Sequence, residues 1–139
     1  MSTTIDNAFL IYASEILADT SNGLSGTQIV KYCNNYSIDF GITIPVSDSS
    51  FGKFGNTIPN KRTALLKNLQ AFNSEQQFRI IKELCELPSL KDNDFVKNLK
   101  VKLWTRYGDL ATEKISETEL IQKTKHWLSG HDAALKQYN

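Results

Sequence analysis

The sequence predicts an all-α domain: a compact bundle of five to seven helices around an antiparallel helical hairpin, with one long aromatic-containing loop. Three observations predict it. Apolar residues recur three and four positions apart along most of the chain, the period of a single helix face. Three pairs spaced as a capping box, Ser25 with Gln28, Ser74 with Gln77 and Ser116 with Glu119, stand where such stretches begin. Strand character is confined to the short piece ITIPV, where Pro45 argues against a central strand.

The first helix is expected over Thr4 to Asp19, with Ile5, Phe9, Tyr12, Ile16 and Leu17 on one face. Turn formers follow in DTSNGLSG, where Gly23 is placed to end the helix region. Ser25 opens a second helix whose inward residues are Ile29, Val30 and Cys33, with Tyr36 close by. Asn34, Asn35 and Ser37 weaken it, and the chain from Ile38 to Asn56 reads as a long connecting loop. Four large apolar side chains there, Phe40, Ile42, Phe51 and Phe54, are poor composition for a free linker, so they are expected to tuck onto the helices. Long loops in compact domains often carry function, which makes this the first place to look for a binding surface.

The clearest pattern runs from Ile58 to Pro88. Pro59 and Asn60 start a third helix with Leu65, Leu66, Leu69 and Phe72 in its apolar stripe. Ser74 opens a fourth with Phe78, Ile81, Leu84 and Cys85 inward and Ile80 and Leu87 at the margins, ended by Pro88. The short break between them predicts antiparallel neighbours. A fifth helix is expected over about Asp92 to Tyr107, with Phe95, Val96, Leu99 and Leu103 on one face at 100° per residue. Ser116 opens a last helix carrying Leu120, Ile121, Trp127 and Leu128, interrupted at Ser129 and Gly130 and resumed from Asp132 to Tyr138. The reading is one domain over 1–139, with a minor boundary, if any, near 108–115.

The bulk numbers fit such a domain. A chain of 139 residues, 40% hydrophobic and 22% charged, is long enough to bury one core. Sixteen Lys and Arg against fifteen Asp and Glu leave a net charge of +1, so no overall basic field advertises nucleic acid or an anionic membrane. The N-terminus lacks the basic start of a signal peptide, and no apolar run approaches a membrane span, so a cytoplasmic protein without membrane partners is expected. Cys33 and Cys85 stand singly, without CxxC or nearby His, and read as small core residues.

No catalytic or metal constellation stands out, and no cofactor is expected. His126 and His131 are five residues apart, which does not set both rings on one helix face, and Glu15 and Asp19 read as a solvated pair one turn apart. The more informative grouping is cationic and aromatic. Lys97, Lys100 and Trp104 share a face of the fifth helix with Tyr107 near it, while Lys102 and Arg106 lie across it. Such a face can contact phosphates while a ring stacks. The competing reading has Trp104 filling a groove between helices while the lysines stay in water. Lys61 and Arg62, at the start of the third helix, could meet an anion or pair with a carboxylate, and Lys67 lies on the same helix.

The order GLSGTQIVKYC, an aromatic loop, IPNKRTALLKNLQAF, EQQFRIIKELCELP and finally KHWLSGHDAALKQYN resembles the N-terminal modules of bacterial abortive-infection proteins of the AbiJ type and related phage-defence proteins. The resemblance implies a helical head that precedes a separate C-terminal effector, often a HEPN-like ribonuclease. No Arg here is followed four to six residues later by His, so the HEPN catalytic motif is absent and any such activity would lie beyond Asn139. The last helical pattern also reaches Asn139 without a terminating signal, which suggests a continuing chain. Two functions are therefore expected. The first is a non-catalytic sensing or protein-interaction module regulating an effector in antiviral defence, with Ile38 to Asn56, including Phe51 and Phe54, and Asn60 to Thr63 as working surfaces. The second is a nucleic-acid-binding domain using Lys61, Arg62, Lys67, Lys97, Lys100 and Trp104.

Overall fold

Six helices account for most of the described chain: α1 (Asn7–Leu17), α2 (Gly26–Phe40), α3 (Lys61–Gln70), α4 (Ser74–Cys85), α5 (Asp94–Tyr107) and α6 (Asp109–Glu113). The computed structural model describes residues 3–48 and 60–113. Phe51, Phe54, His126, His131, Trp127 and the expected Ser116/Glu119 capping box lie outside them. Among the described residues there is no strand, as expected of an all-α bundle, and no helix is long and apolar enough to cross a membrane.

α1 occupies the middle because it is buried on more than one side: Phe9, Leu10, Ala13 and Leu17 are all enclosed, and α3, α4 and α5 pack around it. Its C-terminus is shaped by a close approach. A Cβ on Gly23 would stand 2.2 Å from the Asp19 nitrogen, so only glycine lets the chain curl back far enough for the Leu24 N–H to donate to the Leu17 carbonyl at 2.8 Å. Gly23 thus serves the turn after the helix rather than the helix end, which falls at Leu17.

α2 carries the expected capping box, with the Ser25 hydroxyl accepting from the Gln28 N–H and the Gln28 side chain returning the bond. It runs past the expected break to Phe40. The reason is tertiary: Ile29, Cys33, Tyr36 and Phe40 recur at helical spacing, and the last two are anchored from outside the helix. Tyr36 Oη donates to Glu83 Oε1 at 2.7 Å, and the Phe40 ring meets Phe72 edge-on at 6.0 Å with the Arg79 guanidinium 5.4 Å from its centroid. Gly41 ends the helix in the left-handed conformation (φ 67°), and the Ile42 N–H closes back on the Ser37 carbonyl at 3.0 Å.

The chain after Gly41 is not a strand, yet it is held like one. Ile44 and Val46 are buried, and the fully buried side chain of Asn68 takes the place of a neighbouring strand for Val46. This is the part of the expected aromatic loop that the described residues include.

Two expectations around the central helices change. α3 and α4 follow one another through 71–73 but do not form a closely paired antiparallel hairpin; α3 packs on α1 and α2, whereas α4 packs on α5 and α6. A short connection fixes that two helix ends meet, not that their lengths lie together. The capping box of α4 also sits one residue earlier than expected, on Asn73 with Gln76. That frees Gln77, which is buried and donates from Nε2 to the Leu69 and Phe72 carbonyls at 2.9 Å each, tying α4 to the end of α3. Ser74 accepts the Ile5 N–H instead, at 3.2 Å.

Behind these joints lies one continuous core that includes Leu17, Leu24, Ile29, Leu65, Leu69, Ile80, Ile81, Leu84, Leu99, Leu103 and Leu110. Each such side chain contributes roughly 1.5–3 kcal/mol when fully removed from water. Leu110 belongs to α6, which resumes directly after Gly108 and packs on α4. Ile80, expected at a margin, is fully buried.

Candidate functional site

α5 is the helix on which the sequence grouped its cations and its tryptophan. Asn93 caps it, accepting from the Phe95 N–H at 2.8 Å and the Val96 N–H at 3.2 Å. Asp94 in the first turn and Arg106 in the last complement the helix dipole. Its inward arc is Val96, Leu99, Leu103 and Tyr107. Phe95, expected inward, is 70% exposed: the arc is centred further round the helix, toward Tyr107, and Phe95 falls off its edge beside Lys102 and Arg106.

The opposite flank of α5 meets the end of α4 in an open groove of about 550 Å³. Its exposed apolar surface comes from Val101 and Trp104, with the buried Cys85 and Val96 beneath them at its floor, and its cations are Lys91, Lys97 and Lys100. Lys97, Lys100 and Trp104 are therefore brought together as the sequence indicated. Trp104 meets the Phe78 ring edge-on at 5.1 Å and remains 41% exposed, so it both packs between helices and presents surface. Lys100 pairs with Glu86 at 3.0 Å across the groove. Val101, not singled out from sequence, is 63% exposed in the same groove.

Lys61 and Arg62 are used elsewhere. Lys61 Nζ donates to the Leu24 carbonyl at 2.8 Å and Arg62 Nη1 to Thr20 Oγ1 at 2.6 Å, so this pair secures the turn after α1 and lies outside the α4–α5 groove. Asp19 sits in that turn. Its carboxylate accepts the N–H groups of Asn22 and Ser21, which, helped by the nearby Lys61 and Arg62 charges, hold its pKa below the usual carboxylate value. Asp19 is thus a turn residue and not half of an acid/base pair with the exposed Glu15. Lys67 is exposed on α3 and does not line the groove.

The side of α5 facing α1 is also cationic but committed. Lys102 Nζ lies 3.2 Å from Tyr12 Oη and 4.9 Å from the Tyr12 ring centroid, and the Arg106 guanidinium stands 5.5 Å from the Phe9 ring and 3.9 Å from the Asp6 carboxylate. Both cysteines are free and buried, as expected. Burial pushes the Cys33 thiol up to about 11 and Cys85 up to about 12, so each stays protonated and a poor nucleophile near neutral pH. Among the described residues no group of three or more His, Cys, Asp or Glu side chains is placed to hold a metal ion.

No family model matches the chain, and no curated protein or solved structure matches it.

Proposed function

We propose that the chain is a non-catalytic interaction module that regulates an effector, and that the α4–α5 groove is its working surface. The observation that carries this is the gathering of Lys97, Lys100 and Trp104 around exposed Val101 on one flank of one helix. A large ring and a β-branched side chain left in water beside flexible cations combine the anchor and rim chemistry of a binding surface. The role in bacterial antiviral defence rests on the resemblance of GLSGTQIVKYC, IPNKRTALLKNLQAF and KHWLSGHDAALKQYN to abortive-infection proteins.

The test is phage challenge of bacteria expressing the gene in its native context. Protection that is lost with Lys97→Glu or Val101→Asp, while the purified variants melt like the parent, supports the reading. Protection indifferent to both variants removes the groove from it, and no protection against any phage in a broad panel removes the defence role.

The second reading, a nucleic-acid-binding domain, is favoured by the charge of α5, which carries Lys97, Lys100, Lys102 and Arg106 against Asp94 alone. It requires binding to RNA or DNA that weakens steeply with added salt. The surface would be α5 itself rather than all six residues named from sequence, because Lys61 and Arg62 hold the turn after α1.

A further inference from the structure

We propose that the groove takes an acidic amphipathic helix, one that sets apolar side chains on Val101 and Trp104 while its carboxylates face Lys91, Lys97 and Lys100. This identification of the occupant rests on the interaction-module reading above. Charge complementarity is its first support. The net charge of the chain is only +1, yet the groove brings three lysines against the single carboxylate of Glu86, already paired with Lys100. The second support is the apolar surface between those charges, presented by Val101 and Trp104 over the buried Cys85 and Val96. A nucleic acid would engage the lysines and stack a base on Trp104 but leave Val101 wet, whereas an amphipathic helix covers both apolar side chains.

The spacing agrees. Lys97, Lys100 and Trp104 follow one another at intervals of three and four, so they form a ridge roughly 10 Å long at 1.5 Å rise per residue. Carboxylates one turn apart on a second helix match Lys97 and Lys100, and its apolar residues at the same spacing reach Val101 and Trp104. Glu86 then has a specific role. It occupies Lys100 in the free protein, and an incoming carboxylate must compete with it.

The experiment titrates the full chain carrying Trp127→Phe, which leaves Trp104 as its sole tryptophan, and follows its emission. The probes are a capped helical peptide with Leu at three- and four-residue spacing flanked by Glu, the same peptide with Lys in place of Glu, and a single-stranded RNA of similar length. The Glu peptide is expected to bind and the Lys peptide not. Lys97→Glu should weaken binding at least about fivefold at low salt, since it replaces an attraction by a repulsion. Glu86→Gln should tighten it about two- to fivefold by releasing Lys100. A purely structural role for the Glu86–Lys100 pair would not tighten binding.

Equal binding of both peptides, no binding of either, or no response to Glu86→Gln overturns the proposal. So does RNA binding through Lys97 in the absence of peptide binding, which would favour the nucleic-acid reading. If the peptides fail while phage protection still depends on Lys97 and Val101, the occupant is wrong and the module reading stands. If protection is indifferent to the groove, the module's working surface itself is wrong.

Discussion

Asn68 grips Val46 at both ends: its Oδ1 accepts the Val46 N–H and its Nδ2 donates to the Val46 carbonyl, each at 2.9 Å. One residue's donor and acceptor are served together, as by the opposite residue of an antiparallel pair. The side chain therefore stands in for a strand where the sequence around Pro45 hinted at one.

Replacing Asn68 by Ala should cost about 2–4 kcal/mol in denaturant unfolding, because two buried backbone groups lose their partners at once. Asn68→Asp should cost at least as much near neutral pH, since a carboxylate cannot donate to the Val46 carbonyl. It should recover part of that loss as acid protonates the new carboxyl. A pH-independent Asn68→Asp deficit would show that the paired geometry is not what matters.

At the α3–α4 corner, Asn73→Ala should destabilise by about 1 kcal/mol through loss of the cap. Gln77→Leu should cost more, roughly 1–3 kcal/mol, because the Leu69 and Phe72 carbonyls would lose the Nε2 donor they share. Had the capping frame been Ser74 with Gln77, Asn73 would lie outside the box and its replacement would cost little, while Gln77→Leu would remove only a surface cap. Thermal melts of the two variants distinguish the frames.

Gly23 and Gly41 should respond differently to alanine. At Gly41 nothing lies within 4 Å of an added Cβ, so Ala meets only the left-handed backbone penalty, about 1–2 kcal/mol, and Asn should be tolerated better. At Gly23 the new carbon would collide with backbone, which cannot swing aside, so Ala and Asn should be equally damaging. Denaturation midpoints of the four variants check the contrast.

The buried thiols set an alkaline limit. Folding raises both from an ordinary 9.0, Cys33 to about 11 and Cys85 to about 12, so above pH 9.0 the unfolded chain releases protons that the folded chain keeps. Stability should be level below that point and fall as pH rises through the window, by up to about 1.4 kcal/mol per pH unit for each thiol. The Tyr36 hydroxyl, raised by burial and by its bond to Glu83, steepens the fall at the upper end. Cys33→Ala and Cys85→Ala should each flatten the slope of stability against pH.

Much of this fold was legible because burial follows period. The inward residues of α4 and α5 are largely those that the three- and four-residue spacing selects, whereas in α1 it selects Phe9 and Leu17 but not the buried Leu10, Ala13 and Ser14; Ser25 with Gln28 marks the start of α2. The misses share a cause, which is that the deciding partner lies far away in sequence. Asn34, Asn35 and Ser37 argue locally for a helix end, and only Phe72, Arg79 and Glu83 keep α2 going to Phe40. Asn68 and Gln77 are polar core residues, invisible to an apolar pattern. At the candidate site, angular spacing placed Lys97, Lys100 and Trp104 on one face. The exposure of Val101 and the diversion of Lys61 and Arg62 depended on α4 and on the turn after α1, neither of which local spacing reveals.

The central position of α1 sets a timetable for folding. Its end of the molecule is fastened by bonds spanning 106 residues from Thr3 to Asp109, 101 from Asp6 to Tyr107 and 90 from Tyr12 to Lys102. α1 must wait for one of the last described segments before its surface is fully covered. For an all-α chain, whose kind ordinarily folds fast through local contacts, this places closure of the bundle in a late, non-local step.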